Sequence, residues 1–158
     1  MTAAIREREE KMTGARAPAF VHLKVHSAYS LLEGAITTAK LAKLAVSQGF
    51  PALGLTDTGN LFGALEFSDK MAAAGVQPII GLTLKVDFAE PDRTSPGRPF
   101  GTQARLGGAG SIALFAANER GYQNLMQLSS RAFLDPAEGE PPHVKLSQLG
   151  GARADGPS

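Results

Sequence analysis

Four short runs of strand-forming residues alternate with three amphipathic stretches of helix length, and this alternation narrows the fold more than any other feature. The first run, 20–25, places His22, Lys24 and His26 on one face and Val21, Leu23 and Val25 on the other, because strand side chains alternate. The spacing then predicts a helix over 36–48, with Ile36, Leu41, Leu44 and Ala45 inward, Lys40 and Lys43 outward, and Gly49 as C-terminal cap. Pro51 opens a second strand, 52–56, whose short apolar character suits a parallel strand covered on both faces. Asp57-Thr-Gly-Asn60 follows at its C-terminal end, where α/β folds place their chemistry. Asn60 is read as the cap of a second helix reaching residue 74, with Phe62, Leu65 and Met71 along one side and Gly75 as the stop. The third strand is 76–86, with Pro78 near its start and Gly81 leaving room for close backbone approach. A fourth, 111–116, leads to Asn118 and a helix through 133, whose stripe of Tyr122, Leu125, Met126, Ser129 and Phe133 is read as core. The fold class is therefore α/β, a parallel sheet or barrel, and the chain is expected to stop partway through it.

Between and around these elements lie segments of another kind. Residues 1–18 mix Arg6, Glu7, Arg8, Glu9, Glu10 and Lys11 with few large apolar side chains, which predicts a mobile tail or frayed helix. Residues 87–110 carry Pro91, Pro96 and Pro99 within a glycine-rich polar run, read as a long excursion that is partly hairpin. Residues 135–158 are rich in Pro and Gly and offer no strand to complete the pattern, so 19–158 is read as the N-terminal part of one domain. An unclosed parallel sheet would leave an apolar edge prone to aggregation.

Composition excludes several classes. Sixteen basic and fifteen acidic residues give a net charge of +1, too little for a field that draws in nucleic acid or an anionic membrane. The absence of cysteine removes disulfides, thiolate nucleophiles and Cys-ligated zinc together. No apolar run reaches the roughly eighteen residues of a membrane span, and the N-terminus lacks the apolar stretch of a signal peptide, so a cytoplasmic location is expected. Gly107, Gly108 and Gly110 precede a strand and no Gly-Lys-Ser/Thr follows, which sets aside a phosphate loop. His22 and His26 could be two imidazoles aimed at a metal or two hydrogen-bonded histidines near a strand end. Lys24 between them is an ammonium with no lone pair to donate.

The blocks 20–34 (Phe-Val-His-Leu-Lys-Val-His-Ser-Ala-Tyr-Ser-Leu-Leu-Glu-Gly), 51–67 (Pro-Ala-Leu-Gly-Leu-Thr-Asp-Thr-Gly-Asn-Leu-Phe-Gly-Ala-Leu-Glu-Phe) and Gly75-Val-Gln-Pro-Ile-Ile-Gly81 closely resemble the N-terminal PHP (polymerase and histidinol phosphatase) domain of bacterial DNA polymerase III alpha subunits. Residues 112–126 and 129–133 continue the likeness, so it covers nearly all of 20–134. The resemblance implies a distorted (β/α)7 barrel, of which this chain would hold about the first half, with its pocket at the C-terminal ends of the strands.

Metal-competent members of that family are expected to carry His-x-His at the positions of Lys24 and His26, Asp at Glu33, His at Thr58, Glu at Thr83 and, in several, His at Ser111. Here only His26 and the acidic Glu33 survive. Lys24, His26, Glu33, Asp57, Thr58 and Thr83 are thus read as a vestigial pocket with no metal, no catalytic residue and no cofactor, in which Lys24 pairs with Glu33 or Asp57 in place of the metal. The resemblance implies a structural, partner-docking domain within a subunit that performs template-directed DNA synthesis with magnesium. Its partners would be the remainder of the alpha subunit, the proofreading exonuclease subunit and, through the whole protein, DNA and other replisome subunits, with no membrane. The core positions Leu31, Leu53, Phe62, Leu65 and Leu125 remain apolar, as a retained scaffold requires. The alternatives are a metal-dependent PHP-type phosphoesterase or 3'-5' exonuclease, and the PHP domain of the related error-prone polymerase.

Overall fold

The computed structural model of this chain describes residues 20–88 and 109–150. The tail expected over 1–18, most of the excursion over 87–110 and residues 151–158 lie outside the described residues. The elements run α1 (Thr38–Ser47), β1 (Ala52–Leu55), α2 (Ala64–Ala73), β2 (Gln77–Asp87), β3 (Ala109–Phe115), α3 (Glu119–Leu134), β4 (Val144–Lys145) and α4 (Leu146–Leu149).

The sheet is mixed, where the alternation of elements predicted a parallel one. β1 pairs parallel with the first half of β2, from Ala52 opposite Gln77 to Leu55 opposite Ile80. β3 then pairs antiparallel with the second half, from Gly81 opposite Phe115 to Asp87 opposite Ala109. An antiparallel partner needs no crossover helix, as the partial hairpin reading of 87–110 allowed. β4, which the Pro/Gly-rich composition of 135–158 concealed, pairs parallel with Val86 and Asp87. A short strand needs only two or three ladder bonds and a buried side chain, here Val144.

Helix starts follow local capping chemistry. Thr37 caps α1, its hydroxyl accepting from the Lys40 amide, and Gly49 beyond the end adopts φ +67°, where a side chain would be strained. Thr38, Leu41, Ala42 and Ala45 form the buried stripe, leaving Leu44 at its margin and partly in solvent. Asn118 caps α3 as its sequence predicts, accepting from Gly121 N at 2.9 Å. Asn60 does not cap α2. Its Oδ1 accepts from Phe62 N in a turn ahead of the helix, and the phase of α2 is set by buried Ala64, Phe67 and Met71. That phase turns Phe62 and Leu65 outward, at 78% and 73% exposure, against the expected core role. Leu31 is exposed as well, and on α3 the core contacts come from Leu125, Leu128 and Ala132 while Met126 and Phe133 face water.

Two apolar clusters divide along β2. One joins Leu41, Ala45, Leu53, Leu55, Phe67, Met71 and Val76 between α1, β1 and α2. The other joins Leu82, Leu84, Val86, Leu125, Ala132 and Val144 between β2, α3 and β4. The expected strand over 20–25 is extended but not a regular strand. Its carbonyls at His22 and Val25 accept from Gly54 N and Thr56 N, each at 2.8 Å, along the free side of β1. A Cβ on Gly54 would stand 2.3 Å from the Leu23 carbonyl oxygen, so the segment packs closely through its backbone, with Val25 half-buried against the first cluster. The expected division of faces holds only in part: Val25 meets the core, but Leu23 is half in solvent, and His22 lies between the rings of Phe20 and Phe50, with centroids 4.6 and 5.0 Å away.

Candidate functional site

The polar centre of the molecule forms where β1 runs out. Asp57, two residues beyond Leu55, is 2% exposed and faces the turn after the 20–26 segment. Its Oδ1 accepts from Ser27 N at 2.7 Å and Ser30 Oγ at 2.6 Å, and its Oδ2 accepts from Ser27 Oγ at 2.7 Å. Ser27 and Ser30 are themselves fully buried, and their oxygens accept in turn from Tyr29 N and Thr58 N. A buried carboxylate with three donors is satisfied without a cation. Sequence reasoning passed over both serines; two hydroxyls three residues apart in a turn, with an acid after the next strand, were the only signal.

A second arrangement lies beside it. Glu33 Oε2 accepts from Thr58 Oγ1 at 2.5 Å and meets His26 Nδ1 at 3.0 Å. The Thr58 hydroxyl foremost holds the Glu33 carboxyl below the ordinary glutamate range; burial opposes it with the next largest effect, and the charge and hydrogen bond of His26 and then Lys85 add to the lowering. The other ring nitrogen of His26, Nε2, is buried and without a hydrogen-bond partner among the described residues. Thr83 is tied into the frame: its hydroxyl donates to Thr56 O at 2.9 Å, its N–H to Asp57 O, and its carbonyl accepts from Gly59 N. A cavity of about 210 Å³ opens next to this group, lined by Glu33, Thr58, Gly59, Leu84, Lys85, Ala132, Phe133 and Pro142.

Of the six residues that sequence placed in one pocket, five are brought together by these bonds. Lys24 is not. It is exposed and makes no ion pair among the described residues, so the expected pairing with Glu33 or Asp57 does not form. The physical reason is that both carboxylates already hold closer donors, while Lys24 sits on a segment attached to β1 through its backbone. Lys85, opposite Ser111 in the β2 and β3 ladder, is the lysine that reaches Glu33 electrostatically.

The fold and this cluster define a class. The family model "PHP domain" matches residues 22–153, and the chain belongs to that family. Within it, the chain is 49% identical to the DNA polymerase III subunit alpha of Caulobacter vibrioides over 138 residues, 87% of this chain and 11% of the relative. It is similarly related to the proteins of that name from Treponema pallidum, 43% identical over 120 residues (73% of this chain, 9% of the relative), and Campylobacter jejuni, 40% over 116 residues (73% and 9%). The chain spans about a tenth of the length of these curated relatives.

Proposed function

We propose that the chain serves as the N-terminal PHP part of a DNA polymerase III alpha subunit, a portion of a (β/α)7 barrel whose role is structural and partner-docking. In this reading the whole subunit carries out template-directed DNA synthesis in the bacterial cytoplasm. Magnesium is held by polymerase residues other than those of this pocket, and the domain supports the rest of the subunit and the proofreading exonuclease. The observation that carries the non-catalytic reading is the bonding of Asp57, whose two oxygens are occupied by Ser27 and Ser30. With Lys24 turned to solvent and Thr58 and Thr83 offering only neutral hydroxyls already in use, the donors do not fit a divalent cluster.

One observation favours the metal-dependent phosphoesterase reading: the unpartnered Nε2 of His26 is an available imidazole lone pair or N–H. Elemental analysis of the protein after equilibration with zinc or manganese separates the two. Absence of stoichiometric metal, with gain of affinity only when Lys24→His, Thr58→His and Thr83→Glu are combined, is the expected result; tight binding by the unaltered chain overturns the proposal. In the whole subunit, Thr58→Ala is expected to leave primer extension nearly unchanged, whereas Leu53→Asp, an unpaired charge at a buried position, abolishes it through folding.

A further inference from the structure

Beyond the C-terminal end of β1 two turns meet, and both hold apolar side chains in solvent. Leu31 and Leu32, in the turn after the 20–26 segment, are 85% and 107% exposed; Phe62, ahead of α2, and Leu65, in its first turn, are nearly as open. The two turns are stitched into one surface. Thr58 N donates to Ser30 Oγ at 3.0 Å and the Thr58 hydroxyl to Glu33, so Leu31 and Leu32 are bracketed by two ties to the second turn. Asn60 Nδ2 donates to Tyr29 O at 3.1 Å and Tyr29 OH to Glu66 at 3.2 Å, which brackets Phe62 and Leu65 in the same way. The Tyr29 ring, itself partly in solvent, lies against Gly63, where a Cβ would stand 2.7 Å from it. Single exposed apolar residues are ordinary, but here they gather around one pair of turns.

The first turn is also held against its own preference. Glu33 N and Gly34 N both donate to Ser30 O, and the Ser30 side chain is fixed on Asp57. These bonds set Leu32 at φ 66°, the left-handed region that a leucine avoids, with no burial in return. Strain that presents an apolar side chain to water gains nothing within this chain, and strain of that kind marks a surface that meets something else. Charge decides what that is. No lysine or arginine lies within 27–34 or 57–66, and the carboxylates there, Glu33 and Glu66, are engaged by His26 and Thr58 and by Lys70. A phosphate backbone or an anionic headgroup finds no counter-charge on this rim, whereas apolar side chains of a polypeptide fit it.

We propose that this rim is a docking surface for apolar residues of the alpha-subunit polypeptide beyond residue 158, with Leu31 and Leu32 as its anchors. The length of chain outside the structure favours that occupant. The chain makes up 11% of the Caulobacter vibrioides relative and 9% of the Treponema pallidum one, so about nine-tenths of such a subunit is polypeptide tethered to this rim and present at high effective concentration. A rigid turn loses little freedom on docking, so the strain at Leu32 is offset by contacts that form at no further ordering cost. The inference deepens the polymerase reading above and rests on it for the existence of that polypeptide.

The test is amide hydrogen exchange in two settings, the 158-residue chain and the full subunit. Amides of 27–34 and 59–66 should exchange about tenfold more slowly in the subunit than in the chain, the protection that burial of one leucine side chain supplies. Leu31→Gln with Leu32→Asn, the asparagine tolerating a positive φ, should abolish that difference in the subunit while leaving the urea midpoint of the isolated chain unchanged or slightly raised. Val46→Gln, at an exposed position on α1, should alter neither. Equal exchange in the two settings, or loss of stability in the isolated chain from the same substitutions, overturns the proposal. So does protection that arises only when the exonuclease subunit is added. Primer extension by the unaltered subunit is read alongside: its absence sinks the polymerase reading, while the difference in exchange still decides whether the following polypeptide covers the rim. Leu32→Asn alone keeps the measurement decisive should the pair not give a folded subunit.

Discussion

Replacing Asp57 by Ala strands three donors in a part of the molecule that water does not reach. Ser27 N, Ser27 Oγ and Ser30 Oγ all end on its two oxygens, and Ser27 and Ser30 are 0% and 1% exposed. Each buried donor left without a partner costs about 1–3 kcal/mol. The low end applies to the hydroxyls, which can rotate, and the carboxylate's own desolvation is recovered, so a net loss of about 3 kcal/mol is expected. That is a large share of the roughly 5–15 kcal/mol available to a domain. Asp57→Asn retains an acceptor for Ser27 N and Ser30 Oγ and offers its amide to Ser27 Oγ, so it should lose only about 1 kcal/mol. Urea denaturation followed by circular dichroism reads both as a shift in midpoint at constant slope. The Ser27→Ala and Ser30→Ala losses should also fail to add in a double mutant, since both act through one carboxylate. An Asp57→Ala loss below about 1 kcal/mol at unchanged slope would refute the account, because the donors would then have other partners.

Leu32 holds φ 66° while fully exposed, so Leu32→Gly relieves a left-handed strain with no burial to lose, and should raise stability by up to about 1 kcal/mol in the same titration. Gly54→Ala would drive a Cβ to 2.3 Å from Leu23 O; a loss of about 1–3 kcal/mol and faster amide exchange at Gly54 and Thr56, whose N–H groups hold the 20–26 segment, are expected. The folded-state pKa of Glu33 is depressed, so its contribution is present above the unfolded value and fades as pH falls below the ordinary glutamate range. Stability measured from pH 7 to 3 should therefore drop slightly less in Glu33→Gln than in the unaltered chain, the effect being small because nearly half of the side chain is in water.

Much of the fold was legible in the sequence because local chemistry governs it. Asn118 at a helix start, Gly49 and Gly75 at helix ends, and a short apolar run before Asp57 are decided within a few residues of chain; the Thr37 cap, which starts α1 at Thr38 and not at 36, was passed over. The family was legible too, in blocks that keep their order over 20–134, and the family model matches residues 22–153. The orientation of β3 was not, since antiparallel and parallel strands share one residue alphabet and only the partner strand distinguishes them. Nor was the exposure of Phe62, Leu65 and Leu31, because hydrophobicity states what a side chain prefers and not whether a neighbour is there to cover it.

At the candidate site the sequence by itself determined the inventory: one imidazole, two carboxylates, two threonines and a lysine, with no cysteine. Tertiary structure decided who meets whom. It gave Asp57 to Ser27 and Ser30, set Glu33 between His26 and Thr58, and left Lys24 in water with Lys85 as the cation nearer to Glu33. The physical reason is that a hydrogen bond requires approach to within about 3 Å. Residues 27 and 57 reach that distance only when a strand and a turn thirty positions apart pack side by side.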